Sequence, residues 1–419
     1  MIRLLIIADD FTGGLDTGVQ FASRGIPVCV LTDSGENFHE AAGDCEVLVI
    51  VAETRHLPAT DAYDTVYQIT RKGIELGISH IYKKTDSALR GNIGAELAAV
   101  YQACGISLLP FIPSLPAMNR VTQNGIQYID GIPVAQSVFG RDPFEPVKES
   151  DVSRLISLQT DLSVGNATLD QIGSFTGIAV IDASSESDLL HAGQALSRIK
   201  NLRASAGCAG FASVLPMLLG LTSRGIPELP KLDPGLFVLC GSVNPITQKQ
   251  LDHGENHGFL RIHIAPEVKL HPEIFRIVEG ASVIAGWKEQ MSSADWMILD
   301  ANDTDPRNMD TAIRAAEEGL SIEEVRQRIS ESLGIILSEI TAFPAERTLL
   351  ITGGDTLLES MNRMKVFRMM PLTEIFPGIV LSRVTLHGRP RLVITKSGGF
   401  GAETLLSDLK KLISGQAHC

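Results

Sequence analysis

Short apolar runs alternate with amphipathic stretches along the first half of the chain, a spacing that predicts repeated strand–helix units. Ile2–Ala8 reads as a buried strand, Leu15–Arg24 as a helix stopped by Gly25, and Val28–Thr32 as the next strand. A third strand over Val47–Ala52 precedes a helix over Ala59–Glu75, which Gly77 terminates. His80–Lys83, a helix over Ile93–Ala103 and a strand over Ser107–Ile112 continue the series. Apart from His80–Lys83, which is apolar and then basic, these strands are continuously apolar instead of alternating, which is the pattern of a parallel sheet covered on both faces.

Residues 113–149 interrupt the rhythm. Asn124-Gly125 and Asp130-Gly131 are turn dipeptides flanking a short apolar run, so a small hairpin is expected inside a long excursion. Excursions of that length are usually functional or meet another domain. The rhythm resumes with a strand over Ile178–Ile181 and a helix over Ser187–Lys200. Gly225–Gly235 then carries three prolines and no periodicity, which marks a domain boundary. Beyond it, Leu236–Cys240 starts a second set of units. Ser321 and Glu324 have the spacing of a capping box opening a helix to about Ile340. Strands over Thr348–Ile351 and Leu392–Thr395, each followed by a helix, close the chain. The expected fold is α/β: two domains, each a mainly parallel sheet flanked by helices. Their expected extents are 1–228 and 229–419, with an active site in the inter-domain cleft.

Composition narrows the function classes. The 419 residues carry a formal charge of −13, which argues against a nucleic-acid partner because phosphate backbones repel acidic surfaces. Charged residues at 20% and apolar ones at 44% exclude a disordered polyelectrolyte. The opening MIRLLIIADD has only about six apolar residues before its aspartates, too few for a signal peptide or a membrane span. No membrane partner is expected. Six cysteines (Cys29, Cys45, Cys104, Cys208, Cys240 and Cys419) lie far apart without a close pair, against both a disulfide framework and structural zinc. The expected compartment is the cytoplasm.

Polar residues recur just beyond the predicted strand ends, where open α/β sheets bind ligands. Asp9 and Asp10 follow the first strand and precede Thr12-Gly13-Gly14; one of the two carboxylates can instead cap the following helix. Lys83, Lys84, Asp86, Ser87 and Arg90 then cluster within eight residues of an otherwise acidic chain. Lysine and the forked arginine bind carboxylate or phosphate, while Asp and Ser hold hydroxyls; the alternative is a solvated charge run. Arg55, following the third strand, is expected in the same crevice. In the second half, Gly241-Ser242, Gly353-Gly354-Asp355-Thr356 and Gly398-Gly399 each follow a predicted strand. Paired glycines let backbone N–H groups approach an anion, and three such turns at successive strand ends suggest a phosphate-binding surface. Asp355 is a candidate for a magnesium ion, its water, or a helix cap.

Several signatures are missing. No GxxxxGK[ST] loop, complete GxGxxG or GxSxG elbow occurs, and no histidine pair forms a metal-ligand set. His253 and His257 lie four apart, but Gly254 and Gly258 weaken a helix there, so surface histidines are expected.

Taken together, these stretches resemble the four-carbon acid sugar kinase family. The matching segments are 6–22 (IIADDFTGGLDTGVQFA), 83–97 (KKTDSALRGNIGAEL), 124–147 (NGIQYIDGIPVAQSVFGRDPFEPV), 241–251 (GSVNPITQKQL), 352–356 (TGGDT), 374–384 (EIFPGIVLSRV) and 396–401 (KSGGFG). They span nearly the whole chain in the family's order. The chain departs from the family pattern at Asn119-Arg120-Val121-Thr122, commonly Gly-Arg-Thr-Thr, and at Gly241-Ser242-Val243-Asn244, commonly Gly-Ser-Cys-Ser.

The resemblance implies an N-terminal sugar-acid-binding domain and a C-terminal ATP-binding domain. Together these would phosphorylate the terminal hydroxyl of a four-carbon acid using ATP and Mg2+. D-threonate or D-erythronate is the leading substrate, with 3-oxo-tetronate third. By the same resemblance Asp9, Asp10, Arg55, Lys83, Lys84, Asp86, Ser87 and Arg90 would hold the sugar acid. Ser242, Gly353, Gly354, Asp355, Thr356, Gly398 and Gly399 would hold ATP. Asp355 is the expected metal-facing or base carboxylate, and Asp10 or Asp9 could instead be the base. Two rivals share the pattern: a nicotinamide-dependent sugar-acid dehydrogenase, which would carry the missing GxGxxG, and a non-catalytic sugar-acid sensor, which would bind without releasing ADP. Nothing in the residues sets an oligomeric state, and a homodimer stays open.

Overall fold

A computed structural model describes residues 1–142, 145–304, 310–342 and 347–415; Cys419 and the Pro143-Phe144 part of the family-like segment lie outside the described residues. The chain divides into two compact units between Pro227 and Glu228.

The first unit is built on strands β1 (Leu4–Ala8), β2 (Val28–Leu31), β3 (Val47–Val51), β4 (His80–Lys84) and β5 (Leu108–Ile112). The excursion contributes β6 (Arg120–Gln123), β7 (Ile126–Ile129) and β8 (Ile132–Pro133), and the main sheet is completed by β9 (Val164–Asn166), β10 (Gly177–Val180) and β11 (Ala204–Gly207). The main strands pair in parallel in the order β2–β3–β1–β4–β11–β5–β10–β9. Side chains alternate across each strand, so the sheet's two faces are covered separately. Gly14 of helix Phe11–Ala22 lies against Ala8 and Val49, whereas Gly73 of helix Ala59–Glu75 lies against Leu5 and Ile81 on the opposite face. Helix Ile93–Cys104 packs beside the latter.

The excursion forms a separate antiparallel sheet, β6–β7–β8. Asn124, Gly125, Asp130 and Gly131 all adopt positive φ, the geometry that two-residue hairpin turns require. The carboxylate of Asp182, just past β10, accepts the N–H groups of Asn124 and Gly125 at 2.6 and 3.0 Å and ties the hairpin to the main sheet.

The second unit contains β12 (Leu236–Cys240), β13 (Leu260–His263), β14 (Trp296–Asp300), β15 (Thr348–Thr352), β16 (Arg368–Phe376), β17 (Ile379–Leu386) and β18 (Arg389–Lys396). Parallel pairing gives β13–β14–β12–β15–β18. Both expected closing strand–helix units are present, β15 before helix Gly354–Arg363 and β18 before helix Leu405–Ile413. Between them come β16 and β17, which were not expected and form an antiparallel meander with β18. Half of β17 alternates buried and exposed residues, so a search for continuous apolar runs passes over it. The capping box is present, with Ser321 Oγ accepting from Glu324 N–H and the Glu324 carboxylate accepting from Ser321 N–H at the start of helix Ile322–Thr341. His253 lies within helix Pro245–Asn256 despite Gly254, a glycine that faces Leu406 where a Cβ would approach Cδ1 to 2.6 Å.

Candidate active site

In the first unit β1 connects toward β2 on one side and β4 toward β5 on the other. The crevice at their C-terminal ends is therefore a topological switch point. Asp9 and Asp10 leave β1, Arg55 follows β3, and Lys84 ends β4. Arg55 joins them: its Nε and Nη2 each donate to Asp9 Oδ2 at 2.8 Å, and Nη2 lies 2.7 Å from Asp10 Oδ1. Its distance to Asp86 is 3.9 Å.

The two aspartates are not equivalent. Asp10 caps helix Phe11–Ala22, accepting the Gly13 N–H on Oδ1 and the Thr12 hydroxyl on Oδ2. Burial pushes its pKa up, but Arg55 and then Lys84 outweigh this and hold it below the ordinary aspartate value. Asp9 is 2% exposed, and its Oδ1 makes no hydrogen bond among the described residues. The ammonium of Lys84 stands 3.9 Å from that oxygen and donates to the Thr85 carbonyl. Gly13 permits this crowding, since a Cβ there would sit 2.4 Å from Asp10 Oδ1 and 2.6 Å from Lys84 Nζ.

Lys83 does not join the cluster. Strand alternation turns it to the other face, where its fully buried ammonium lies 3.1 Å from Glu96 of helix Ile93–Cys104 and donates to the carbonyls of Ile7 and Lys84. Glu96 also accepts from the Thr54 hydroxyl, and its burial raises its pKa despite Lys83.

Asp86, Ser87 and Arg90 sit on the loop after β4. Arg90 grips Asp86 with Nε at 2.8 Å and Nη2 at 3.1 Å and reaches Asp142 at 3.2 Å. Burial works against the Asp86 carboxylate, but Arg90 and Arg55 hold it well below the usual range. The excursion supplies further residues that sequence reasoning did not single out. Arg120 of β6 donates to Ser87 Oγ, and Gln127 of β7 donates to the Ser87 carbonyl at 2.9 Å. Phe139 lies under both guanidinium groups, 5.1 Å from that of Arg90 and 5.3 Å from that of Arg120. Burial lowers the Arg120 pKa. The available signal was the length of the excursion and the family-like 124–147 segment within it.

The second unit has its own switch point between β12 and β15, whose connections leave in opposite directions. The three glycine turns follow β12, β15 and β18, which are consecutive neighbours in the sheet. A Cβ on Gly241 would lie 2.0 Å from Thr356 Oγ1, and one on Gly398 would lie 2.8 Å from Ser242 Oγ. The turns thus abut closely. Gly353 holds φ at 113°, which side-chain-bearing residues rarely adopt, and directly precedes helix Gly354–Arg363. Asp355 does not cap that helix; its carboxylate pairs with Arg326 at 2.9 Å. Asn302, past β14, donates to the Ser242 carbonyl at 3.2 Å and adds a fourth strand end. Lys396, the last residue of β18, is buried beneath the third turn.

Crowded, side-chain-free turns beside the starts of helices Pro245–Asn256 and Gly354–Arg363 fit a polyphosphate, which backbone N–H groups can approach only where no Cβ intervenes. Among the described residues no group of three or more His, Cys, Asp or Glu is arranged to hold a metal ion, and no helix is long and apolar enough to cross a membrane.

Comparison with known proteins follows the same division. Residues 4–215 match the family model described as a sugar-binding N-terminal domain, and residues 237–406 match that of a nucleotide-binding C-terminal domain. The chain is similar to a D-threonate kinase of Salmonella typhimurium, at 28% identity over 97% of both chains. It is 25% identical to a D-erythronate kinase of Heliobacterium modesticaldum, over 96% of this chain and 94% of the relative. A 3-oxo-tetronate kinase of Methylobacterium radiotolerans is 24% identical over 96% of both. A Salmonella typhimurium LT2 protein, solved under the provisional name of a tRNA synthase, superposes with a TM-score of 0.79. It covers 98% of this chain and all of the other, and at 22% identity it establishes the fold alone.

Proposed function

Because the chain belongs to the four-carbon acid sugar kinase family, we propose that it transfers the terminal phosphoryl group of ATP to the terminal hydroxyl of a four-carbon sugar acid. D-threonate and D-erythronate are the leading acceptors, ahead of 3-oxo-tetronate, and the product is the 4-phosphate. The first unit binds the acid and the second binds the nucleotide.

The observation that carries this reading is the pairing of a vacant acceptor with an unsaturated donor at one strand end. Among the described residues Asp9 Oδ1 is buried without a hydrogen bond, which is unfavourable by about 1–3 kcal/mol unless a donor reaches it. Lys84 Nζ, 3.9 Å away, has engaged one carbonyl out of its three donor positions. A hydroxy acid meets both requirements: a hydroxyl donates to Asp9 Oδ1, and the carboxylate accepts from Lys84. Arg55 fixes the Asp9 carboxylate from its other oxygen and adjusts no proton of its own. Asp86 and Ser87 take the remaining hydroxyls, oriented by Arg90 and Arg120 respectively.

Phosphoryl transfer depends mainly on positioning and charge neutralisation. Asp9 is better placed than Asp10 to receive the acceptor hydroxyl's proton, since both Asp10 oxygens already accept hydrogen bonds. In the second unit Ser242, Gly353, Gly354, Thr356, Gly398 and Gly399 line the turns that would bind the nucleotide. Mg2+ bound with the phosphates would neutralise charge on them, and Asp355 is the carboxylate at those turns. Among the described residues the cysteines are buried and in no disulfide, which fits a reducing compartment such as the cytoplasm.

A coupled ADP-release assay across threonate, erythronate and 3-oxo-tetronate isomers with Mg-ATP tests the proposal. ADP release with one of these acids and formation of its 4-phosphate are expected. Reduction of a nicotinamide cofactor, or acid binding without ADP release, would overturn it.

A further inference from the structure

Lys396 is absent from every role assigned so far, and its surroundings are unusual for a lysine. It is 2% exposed, makes no ion pair among the described residues, and gives its ammonium to three oxygens of the adjoining turn. These are the Thr247 hydroxyl at 2.8 Å, the Ser397 carbonyl at 3.1 Å and the Gly398 carbonyl at 3.0 Å. Thr247 Oγ1 donates in turn to the Gly398 carbonyl at 2.9 Å, so two donors converge on that oxygen.

The consequence follows from peptide geometry. In a planar trans peptide the C=O of one residue and the N–H of the next point in opposite directions. Drawing the Ser397 and Gly398 carbonyls inward toward Lys396 therefore turns the Gly398 and Gly399 N–H groups outward. Neither N–H makes a hydrogen bond among the described residues. Two successive free amides of this kind form an anion-binding concavity. Gly398 abuts Ser242 and Asn244, so the concavity adjoins the turn after β12.

We infer that Lys396 is the positioning residue of the nucleotide site: its ammonium holds the Ser397–Gly399 peptide planes so that two amides face the phosphates of the bound nucleotide. The inference rests on the reading that the second unit binds ATP. The lysine donates nothing directly to the nucleotide; it sets the amides and places a positive charge behind them. Burial without a facing carboxylate pushes its pKa down to about 8, the condition of an ammonium whose compensating charge arrives with a ligand.

The test uses calorimetric titration of the full-length chain with a non-hydrolysable ATP analogue plus Mg2+, and separately with adenosine. Binding needs no sugar acid, so a failure of the proposed acceptor specificity leaves this measurement intact. Lys396→Met is expected to weaken the analogue by about 10- to 100-fold, the range for losing charge-assisted contacts, while adenosine affinity stays within about 2-fold. Thr247→Val removes one restraint on the Gly398 carbonyl and should weaken the analogue in the same direction by a smaller factor. Unchanged analogue affinity in folded Lys396→Met overturns the inference, as does an equal loss for adenosine, which would mean general damage to the unit. Should Lys396→Met not fold, Thr247→Val decides by the same criteria.

Discussion

Replacing Lys83 by methionine should damage stability and spare substrate recognition, whereas the same change at Lys84 should do the reverse. The two lysines are adjacent on β4 and chemically identical, so composition cannot tell them apart. Lys83 lies 3.1 Å from Glu96, and both side chains are fully buried. Removing one partner of a buried pair typically destabilises by about 3–5 kcal/mol, because the remaining charge is left uncompensated. At about 2–4 °C per kcal/mol for a unit of this size, the melting temperature should fall by about 6–20 °C. Glu96 can relieve the strain by taking up a proton. Burial already raises its pKa, and losing Lys83 raises it further. A carboxyl whose folded pKa exceeds its unfolded value binds more protons when folded, so stability falls as pH rises between those two values. The deficit of Lys83→Met should therefore shrink toward acid pH. Lys83→Met/Glu96→Gln, which removes both charges and keeps an acceptor for Thr54, should recover more than half of the loss. Differential scanning calorimetry at several pH values measures this, with sugar-acid KM determined well below each melting temperature. Lys84→Met should melt near the wild type and show a sugar-acid KM raised by at least about 10-fold, with the ATP KM little changed. A Lys83→Met protein of unaltered stability and raised sugar-acid KM would refute the assignment of the two faces.

Asp9→Asn should lower kcat by about 100-fold or more while the chain still folds, because the acceptor for the substrate proton is lost. Asp10→Ala should instead act mainly through the Phe11–Ala22 helix, where loss of the N-cap acceptor costs about 1 kcal/mol in stability. Steady-state kinetics alongside thermal melts separate the two, and a larger kcat loss for Asp10→Ala would reverse their roles. Lys396 contributes a pH signature in the ligand-free protein. Its folded pKa of about 8 lies below the ordinary 10.5, so the unfolded chain holds more protons between those values and wild-type stability rises with pH across that window. Relative to Lys396→Met, the gain should approach about 3 kcal/mol by the upper end, read as the difference between the two denaturation curves. A flat difference would show that the ammonium is not desolvated in the folded state.

Much of the first unit could be read directly from the chain. Helix Ala59–Glu75 has the boundaries expected from periodicity, as does β12 of the second unit, and β1 to β5 and β10 begin or end within about two residues of expectation. The short strands β9 and β11 were not expected, since three or four residues carry too little periodicity to stand out. β1, β2 and β3 are parallel, fully buried and apolar without interruption, and Gly25 and Gly77 stop their elements locally. The meander β16–β18 was less legible, since its strands mix buried and exposed positions and pair with each other instead of being covered twice. Helix Pro245–Asn256 was obscured by Gly254, whose presence answers to Leu406 more than 150 residues away.

The sequence by itself determined the fold class, the two-unit division, the turns at strand ends and the inventory of charged residues. Those properties depend on local periodicity, on glycine and proline, and on the rule that ligands meet sheets at strand ends. Only the tertiary structure gave the two members of each adjacent pair different surroundings. Alternation sent Lys84 into the crevice and Lys83 into the core. Helix capping engaged Asp10 and left Asp9 Oδ1 bare, and an arginine from a distant helix engaged Asp355. Arg120, Phe139 and Lys396 gained their positions from contacts that only folding creates. The physical reason is range: backbone preferences act over a few residues, whereas burial, orientation and charge pairing depend on neighbours the chain supplies from tens or hundreds of residues away.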